Sequence, residues 1–302
     1  MKSFFIIDGN TYIHRAYHAL PCFSTSNGQQ INAIYGFIKL LFKIKNKFVP
    51  DYIAVCFDYP SKNFRHEMFK NYKANRKPLD IALISQMPIA REAVRALNML
   101  DVEIKGYEAD DLIATLIQKF IKNNIQIVVV TGDKDILQLV YDEKIFIWND
   151  SKNVMYDRKN IEEKYGIKPE QLVDVFALMG DAIDNVPGIK GIGEKTALKL
   201  VKKFGNLENV LANMNSVKGN IGKLLKENIN EVLLSKKLIK LNKQVPLCYK
   251  ILEFENKDLD LNKAIPFFEK YEFKSLLNKY STFKSIKSIP ATKVLCTKKM
   301  VI

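Results

Sequence analysis

The chain of 302 residues carries 47 Lys and Arg against 33 Asp and Glu, a net charge of +14 with a pI near 9.4. Its 47% apolar content and mean hydropathy of −0.11 exclude a disordered polyelectrolyte. No apolar run approaches the roughly 18 residues of a membrane-spanning helix, so no membrane association is expected.

In chain order, Met1-Lys2-Ser3 leads into an apolar strand at 3–8, too short for a secretory signal. A helical pattern follows at 31–47, where Ile34, Phe37, Ile38, Leu41 and Phe42 recur at helical spacing. Strands are expected at 51–57, 102–105, 125–131 and 145–148, with helices at 85–100 and 109–122 between them. This alternation predicts an α/β domain, a mostly parallel sheet flanked by helices on both faces. Beyond about residue 157 strand signals fade, and helices are expected at 159–165, 169–179, 194–204, 206–213, 220–241 and 261–280. The chain is read as an α/β core over 1–157, a helical region over 158–280 and a flexible tail or linker over 281–302. Cys22, Cys56, Cys248 and Cys296 form no CxxC pair, and His14, His18 and His66 have no metal-ligand spacing; a reducing, cytoplasmic setting is expected.

Nine carboxylates stand where such a sheet would gather them. Asp8, Asp58 and Asp133 each close a short apolar run (FFIID, IAVCFD, IVVVTGD), and open α/β sheets bind ligands at the carboxyl ends of their strands. Glu108, Asp110 and Asp111 open the helix at 109, while Asp135, Asp181 and Asp184 follow other apolar segments. Taken singly, each has an ordinary reading as a helix cap, a dipole partner or a turn residue. Taken together they make a cleft of oxygen ligands suited to hard cations such as Mg²⁺ or Mn²⁺. Two carboxylates about 4 Å apart repel by about 4 kcal/mol at an effective dielectric near 20, so the cluster calls for protonation or divalent cations.

Residues 61–78, SKNFRHEMFKNYKANRKP, hold six Lys or Arg against one acid, interleaved with Phe64, Phe69 and Tyr72. Such a stretch suits a nucleic-acid strand, phosphates pairing with the cations and bases stacking on the rings. A solvated amphipathic helix is the plainer alternative, but the stretch leaves directly from Asp58 and can overhang the acidic cleft. Residues 186–197, VPGIKGIGEKTA, combine Gly188, Gly191 and Gly193 in a tight turn before a helix, exposing backbone N–H groups that can hold a phosphate. Lys190, Lys195 and Lys199 add charge there. P-loop spacing is absent, and no strand precedes the turn as a dinucleotide fingerprint requires. A basic exterior around an acidic centre fits a polyanion gripped by its backbone.

FIIDGN, AIYGFIK, VCFD, FRHEMFKNYKANR, GYEADDLIATL, TGDKDILQLV and GDAIDNVPGIKGIGEKTALKL follow one another in this order. Over about residues 3–280 they resemble the 5′-nuclease domain at the amino end of bacterial DNA polymerase I, related to flap endonucleases. The resemblance implies a PIN-like α/β core, a helical arch at about 61–100 and a helix-hairpin-helix-type motif. It implies that Asp8, Asp58, Glu108 and Asp110 bind one metal, with Asp111 close by, and that Asp133, Asp135, Asp181 and Asp184 bind or neighbour a second. Arg65, Lys73 and Arg76, with Tyr72, match arch-side residues that engage the scissile strand. Gly188, Gly191 and Gly193 match the duplex-binding hairpin, which in relatives also holds K⁺. Departures fall at Ala182 and Ile183, where small hydroxyl residues are usual, at Asn98, where Gly is usual, and at the apolar Leu79-Asp80-Ile81-Ala82. None removes a ligand.

The resemblance implies a structure-selective 5′-3′ exonuclease and 5′-flap endonuclease, expected to hydrolyse DNA in replication and repair with two or more Mg²⁺ or Mn²⁺ ions. DNA with 5′ flaps, nicks or overhangs is the expected substrate and RNA primers a further one. A DNA polymerase is the expected partner, and the chain is expected to be a monomer. Two rival readings are a PIN-type ribonuclease acting on single-stranded RNA and a non-catalytic DNA-binding clamp.

Overall fold

A computed structural model describes the chain from residue 1 to 287, and its side chains to residue 280. Six strands, β1 (Lys2–Asp8), β2 (Tyr52–Cys56), β3 (Leu100–Val102), β4 (Ile125–Val130), β5 (Ile145–Asn149) and β6 (Val154–Tyr156), form one sheet in the order β3-β2-β1-β4-β5-β6. All neighbours are parallel except β5 and β6. The helices of the first part are α1 (Gly9–Ala19), α2 (Asn32–Phe48), α3 (Phe64–Met68), α4 (Ile81–Ile84), α5 (Gln86–Ala96) and α6 (Ala109–Phe120). After the sheet come α7 (Arg158–Tyr165), α8 (Leu172–Met179), α9 (Glu194–Phe204), α10 (Leu207–Ala212), α11 (Asn220–Glu227), α12 (Ile229–Ile239), α13 (Leu261–Lys270) and α14 (Lys274–Lys287).

Runs such as FFII and IVVV are buried on both faces, as parallel strands covered by helices must be. Phe4, Ile6, Ala54, Cys56, Ile127 and Val129 face one core with α6, α8, α9 and α12, while Phe5, Ile7, Ile53, Val55, Val128 and Val130 face the other with α1, α2, α5 and α13. Burying one Ile or Phe contributes about 1.5–3 kcal/mol, enough over such a core to tolerate strained charges at its edge. From central β1 the chain builds outward through β2 and β3, then returns to β4 on the other side. The strand order therefore reverses between β1 and β4, where a crevice opens at the carboxyl ends. Asp8 ends β1 there, and Thr131-Gly132-Asp133 leaves β4 there.

Several elements depart from the expected bounds. Strand β3 begins at Leu100 rather than 102, because Asn98 takes a left-handed φ of 58° and ends the α5 segment early; Asn tolerates this conformation where most residues do not. Helix α1 and strand β6 had no counterpart in the sequence reading. The helix expected at 220–241 breaks at Asn228, and that at 261–280 breaks at Glu272, whose φ is 54°. Helix α14 runs through Lys287, past the start of the expected tail at 281, and the rest of that tail lies outside the described residues. No helix among the described residues is long and apolar enough to cross a membrane.

Candidate active site

The acids are held in place by the ends of the elements that carry them. Asp8 caps α1, its Oδ1 accepting the Thr11 amide at 3.0 Å, while its Oδ2 accepts the Thr131 hydroxyl at 2.8 Å and so ties β1 to β4. Asp58 accepts Asn10 Nδ2 at 3.0 Å and the Ala109 amide at 2.7 Å, joining the end of β2 to the start of α6. Glu108 precedes α6 and accepts Asn63 Nδ2 at 2.8 Å, the Tyr72 hydroxyl at 3.1 Å and Arg65 NH1 at 3.3 Å, with Lys73 Nζ on the same carboxylate. Asp133 accepts the Asp135 amide at 2.8 Å. Asp181 accepts the amides of Ile183 and Asp184 at 2.7 and 3.2 Å and pairs with Lys134 at 3.2 Å. Asp184 takes Arg76 Nε at 3.0 Å and the Tyr72 hydroxyl at 3.4 Å. Asp110 has no hydrogen-bond donor on its carboxylate among the described residues.

Asp8, Asp58, Glu108, Asp110 and Asp133 line a cleft of about 820 Å³. A narrow cavity sharing Glu108, Asp110 and Asp133 with it is lined also by Asp135, Asp181 and Asp184. Eight of the nine acids thus come together. Asp111 does not. It is fully buried, gripped by both ends of the Arg65 guanidinium and by the amides of Asn242 and Glu108 at 2.8 and 3.3 Å, so its oxygens have no room for an ion. Arg65 is itself only 1% exposed. It touches the narrow cavity, but its donors are engaged by Asp111, Glu108 and the carbonyls of Leu238 and Lys240. The expected contact of Arg65 with a scissile strand is therefore replaced by an internal brace. Tyr72 is also buried, its hydroxyl directed to Glu108, so its ring offers no face to a base. Lys73 and Arg76 do line the cleft.

Charge is unevenly balanced across the cluster. Burial raises the Asp110 carboxyl well above its usual range, helped by Asp133, Asp8 and Asp58. Burial pushes Asp8 up to about 6 despite its bonds to Thr11 and Thr131, and pushes Asp135 up to about 7 with help from Asp133. Asp58 and Asp133 are raised for the same first cause. Glu108 and Asp181 go the other way: burial opposes their ionisation, but Lys73 and Arg65 outweigh it at Glu108, and Lys134 with two amides does so at Asp181. The inner acids thus hold their protons more tightly than Glu108 and Asp181, for want of a counter-charge.

Among the described residues no three Asp, Glu, His or Cys side chains are close enough to form a ready metal-binding group. Lys73, Arg76 and Lys134 stand on the outer acids as counter-charges. The inner donors nevertheless fit a hard cation: all are carboxylate oxygens, and Asp110 is half-buried with no donor of its own among the described residues.

The glycine turn divides in two. Gly188 is buried at a φ of +57°, its amide donating to Ser235 Oγ at 2.9 Å, and a Cβ there would lie 2.2 Å from the Gly180 nitrogen. It locks the loop carrying Asp181 and Asp184 instead of facing a phosphate. Gly191, Gly193, Lys190, Lys195 and Lys199 are exposed, with Ile189 and Ile192 anchoring the turn in the core. Sequence reasoning missed His14, Arg15 and His18, which line the larger cleft, because α1 was not recognised; Lys77 of the basic segment lines it too. The four-residue spacing of the two histidines was the available signal.

An acid-lined crevice at the switch point of a mostly parallel sheet, roofed by a basic segment, defines an α/β nuclease fold. Residues 3–166 match the family described as 5′-3′ exonuclease, N-terminal resolvase-like domain, and residues 167–262 match 5′-3′ exonuclease, C-terminal SAM fold. The chain belongs to the 5′-3′ exonuclease family. It is 37% identical over 277 residues to the 5′-3′ exonuclease of Aquifex aeolicus, covering 92% of this chain and 94% of that one. It is 36% identical over 301 residues to DNA polymerase I of Bacillus caldotenax, covering 98% of this chain and 34% of that one. The chain spans about a third of the length of its DNA polymerase I relatives. The fold is shared with the T5 D15 protein co-crystallised with metal ions (TM-score 0.68, 20% identity, 80% of this chain and 90% of that one). It is shared too with the catalytic core of Rad2 in complex with DNA substrate (TM-score 0.57, 16% identity, 89% and 88%).

Proposed function

We propose that the chain is a divalent-metal-dependent 5′ nuclease that hydrolyses phosphodiester bonds of DNA at 5′ flaps, nicks and overhangs, and at RNA primers. The observation that carries this reading is the convergence of eight carboxylates in adjoining cavities beneath Lys73 and Arg76. Asp8, Asp58, Glu108 and Asp110 would hold one Mg²⁺ or Mn²⁺ ion, and Asp133, Asp135, Asp181 and Asp184 a second. When bound, such ions activate water and neutralise phosphate charge. No histidine base is then required.

The protein's own groups do the rest. Thr11, Thr131 and Asn10 aim Asp8 and Asp58 into the crevice. Arg65 fixes Glu108 from behind. Lys73 and Arg76 exchange carboxylate partners for the incoming phosphate and offset its growing charge. The exposed Lys190, Gly191 and Gly193 of the turn, with Lys195 and Lys199, hold duplex backbone through amides and lysines, so binding is insensitive to base sequence. K⁺ at the turn rests on the resemblance alone, and no step is assigned to it. We place the chain in the cytoplasm as a monomer, acting alongside or joined to a DNA polymerase, since relatives carry this region within DNA polymerase I.

The test offers 5′-flapped, nicked and single-stranded DNA and unstructured RNA, with Mg²⁺ and with EDTA. EDTA-sensitive cutting of flapped and nicked DNA is expected. Equal cutting of unstructured RNA would turn the reading to a single-strand ribonuclease, and binding without cutting to a clamp.

A further inference from the structure

Helix α1 leads away from Asp8 along the wall of the larger cleft. His14, Arg15 and His18 of this helix line the cleft together with Arg76 and Lys77. At 1.5 Å of rise per residue, His14 and His18 lie about 9 and 15 Å along the axis from Asp8. Their ring centroids are 6.0 Å apart. Among the described residues no hydrogen bond engages either ring. The cations beside the acids are, by contrast, already paired, Lys73 with Glu108 and Arg76 with Asp184. Apolar Leu79 and Met87 line the same cleft and offer contact to bases rather than phosphates.

We propose that His14 and His18, with Arg15, form a phosphate-binding ladder for a single-stranded 5′ arm leaving the acidic site, and that protonation of the two rings tightens its grip. The idea rests on the 5′-nuclease reading above. Burial, then His18 and Arg76, holds the His14 imidazole below its ordinary range, so that ring favours its neutral form; an approaching phosphate favours the charged form instead. The groups facing the pair from neighbouring elements are Arg76 and Lys77 from the basic segment and Asp80, which accepts the Tyr17 hydroxyl at 2.7 Å. Asp150 lies 3.8 Å from Arg15 and also pairs with Lys43 of α2, while Asp8, Asp58, Glu108, Asp110 and Asp133 lie deeper in the cleft.

The experiment measures equilibrium binding of a duplex bearing a single-stranded 5′ arm, in EDTA, across a salt series at about pH 5.5 and about pH 8, either side of the ordinary imidazole value of about 6.5. Wild type is compared with a His14→Gln/His18→Gln variant and a His14→Arg/His18→Arg variant. Each protonated ring on a phosphate adds about 0.7 to the slope of log affinity against log salt. At the lower pH the wild-type slope should exceed that of the Gln variant by about 1.4, and at the higher pH the two should coincide. The Arg variant should keep the steeper slope at both. Titration of Asp8 and Asp135 is common to all three proteins and cancels in the comparison. Equal slopes at the lower pH, or an equal difference on blunt duplex, would overturn the ladder. Loss of EDTA-sensitive cutting by the wild type would overturn the nuclease reading instead, so the two failures are separable.

Discussion

Arg65 and Asp111 meet end to end, NH1 on Oδ2 at 2.7 Å and NH2 on Oδ1 at 2.8 Å, with 1% and 0% of their side chains exposed. The same guanidinium donates Nε to the Leu238 carbonyl at 2.7 Å, so α3, α6 and the end of α12 are joined at one side chain. Removing it strands the Asp111 charge in the interior, which costs about 3–5 kcal/mol for a broken buried pair. Arg65→Ala should lower the unfolding free energy by about 3–5 kcal/mol, read as a fall in the urea midpoint. Arg65→Lys, unable to form the two-pronged contact, should lower it as well. A residue acting on the scissile phosphate alone would behave differently, its Lys variant keeping the midpoint and losing only cleavage rate.

The inner acids make stability depend on pH and on metal. An ordinary Asp in the unfolded chain titrates near 3.9, whereas Asp8 is raised to about 6 and Asp135 to about 7. Between those limits the folded state binds more protons than the unfolded state, so stability is highest at low pH and is lost as pH rises through about 6–7. Glu108 and Asp181 are lowered and have the opposite sign, their contribution disappearing on strong acidification. Chelator-treated protein should therefore show a thermal midpoint that rises as pH falls from about 8 to 5.5 and drops again below about 4. Mg²⁺ at pH 8 should raise it too, by about 2.7 kcal/mol in stability at a hundredfold excess over its dissociation constant. A midpoint unmoved by both pH and Mg²⁺ would contradict the placement of charge in the cleft.

Which parts of this arrangement the sequence discloses follows from what each part depends on. Asp8, Asp58 and Asp133 were legible because continuous apolar runs announce buried parallel strands, and chain direction then places their ends. Asp111 looked the same as Asp110 in sequence; only the helix phase, with Arg65 waiting on one side, turns one inward and leaves the other in the cleft. Helix α1 begins with Gly9, a poor helix former, and the cleft-lining His14, Arg15 and His18 went unseen with it. Tyr72 read as a stacking ring because aromatic residues among lysines suit a strand of bases. Its burial is a tertiary fact, set by Glu108 accepting its hydroxyl. Gly188 and Gly193 are alike in a string of letters and opposite in space.

That opposition is testable. Gly188→Ala puts a methyl 2.2 Å from the Gly180 nitrogen at a φ of +57°, so the loop bearing Asp181 and Asp184 must move. Stability and cleavage should both fall. At Gly193 nothing lies within 4 Å of an added Cβ and φ is −91°. Gly193→Ala should change stability by no more than about 0.5 kcal/mol while weakening duplex binding, as a methyl would stand where a phosphate approaches the amides. Unfolding titrations alongside binding of a blunt duplex separate the two. Unchanged binding by the Gly193 variant would remove the turn from the interface.

Lys73 sits between the arch and the acids. Its amide donates to the Asp184 carbonyl at 2.9 Å, and its ammonium pairs with Glu108 and lies 3.9 Å from Asp184. Truncation leaves Glu108 with Asn63, Tyr72 and Arg65 as donors, so Lys73→Ala should fold. What it loses is a positive charge held beside the acids, in a site where preorganised charge is worth far more than in water. Loss of one such donor typically costs about 10²–10³ in rate. Single-turnover cleavage of a flapped duplex should slow by that factor, while binding in EDTA weakens several-fold at most. If affinity fell as far as rate, Lys73 would be positioning the strand, and the charge that builds on the phosphate would have to be met by Arg76 or the bound ions instead.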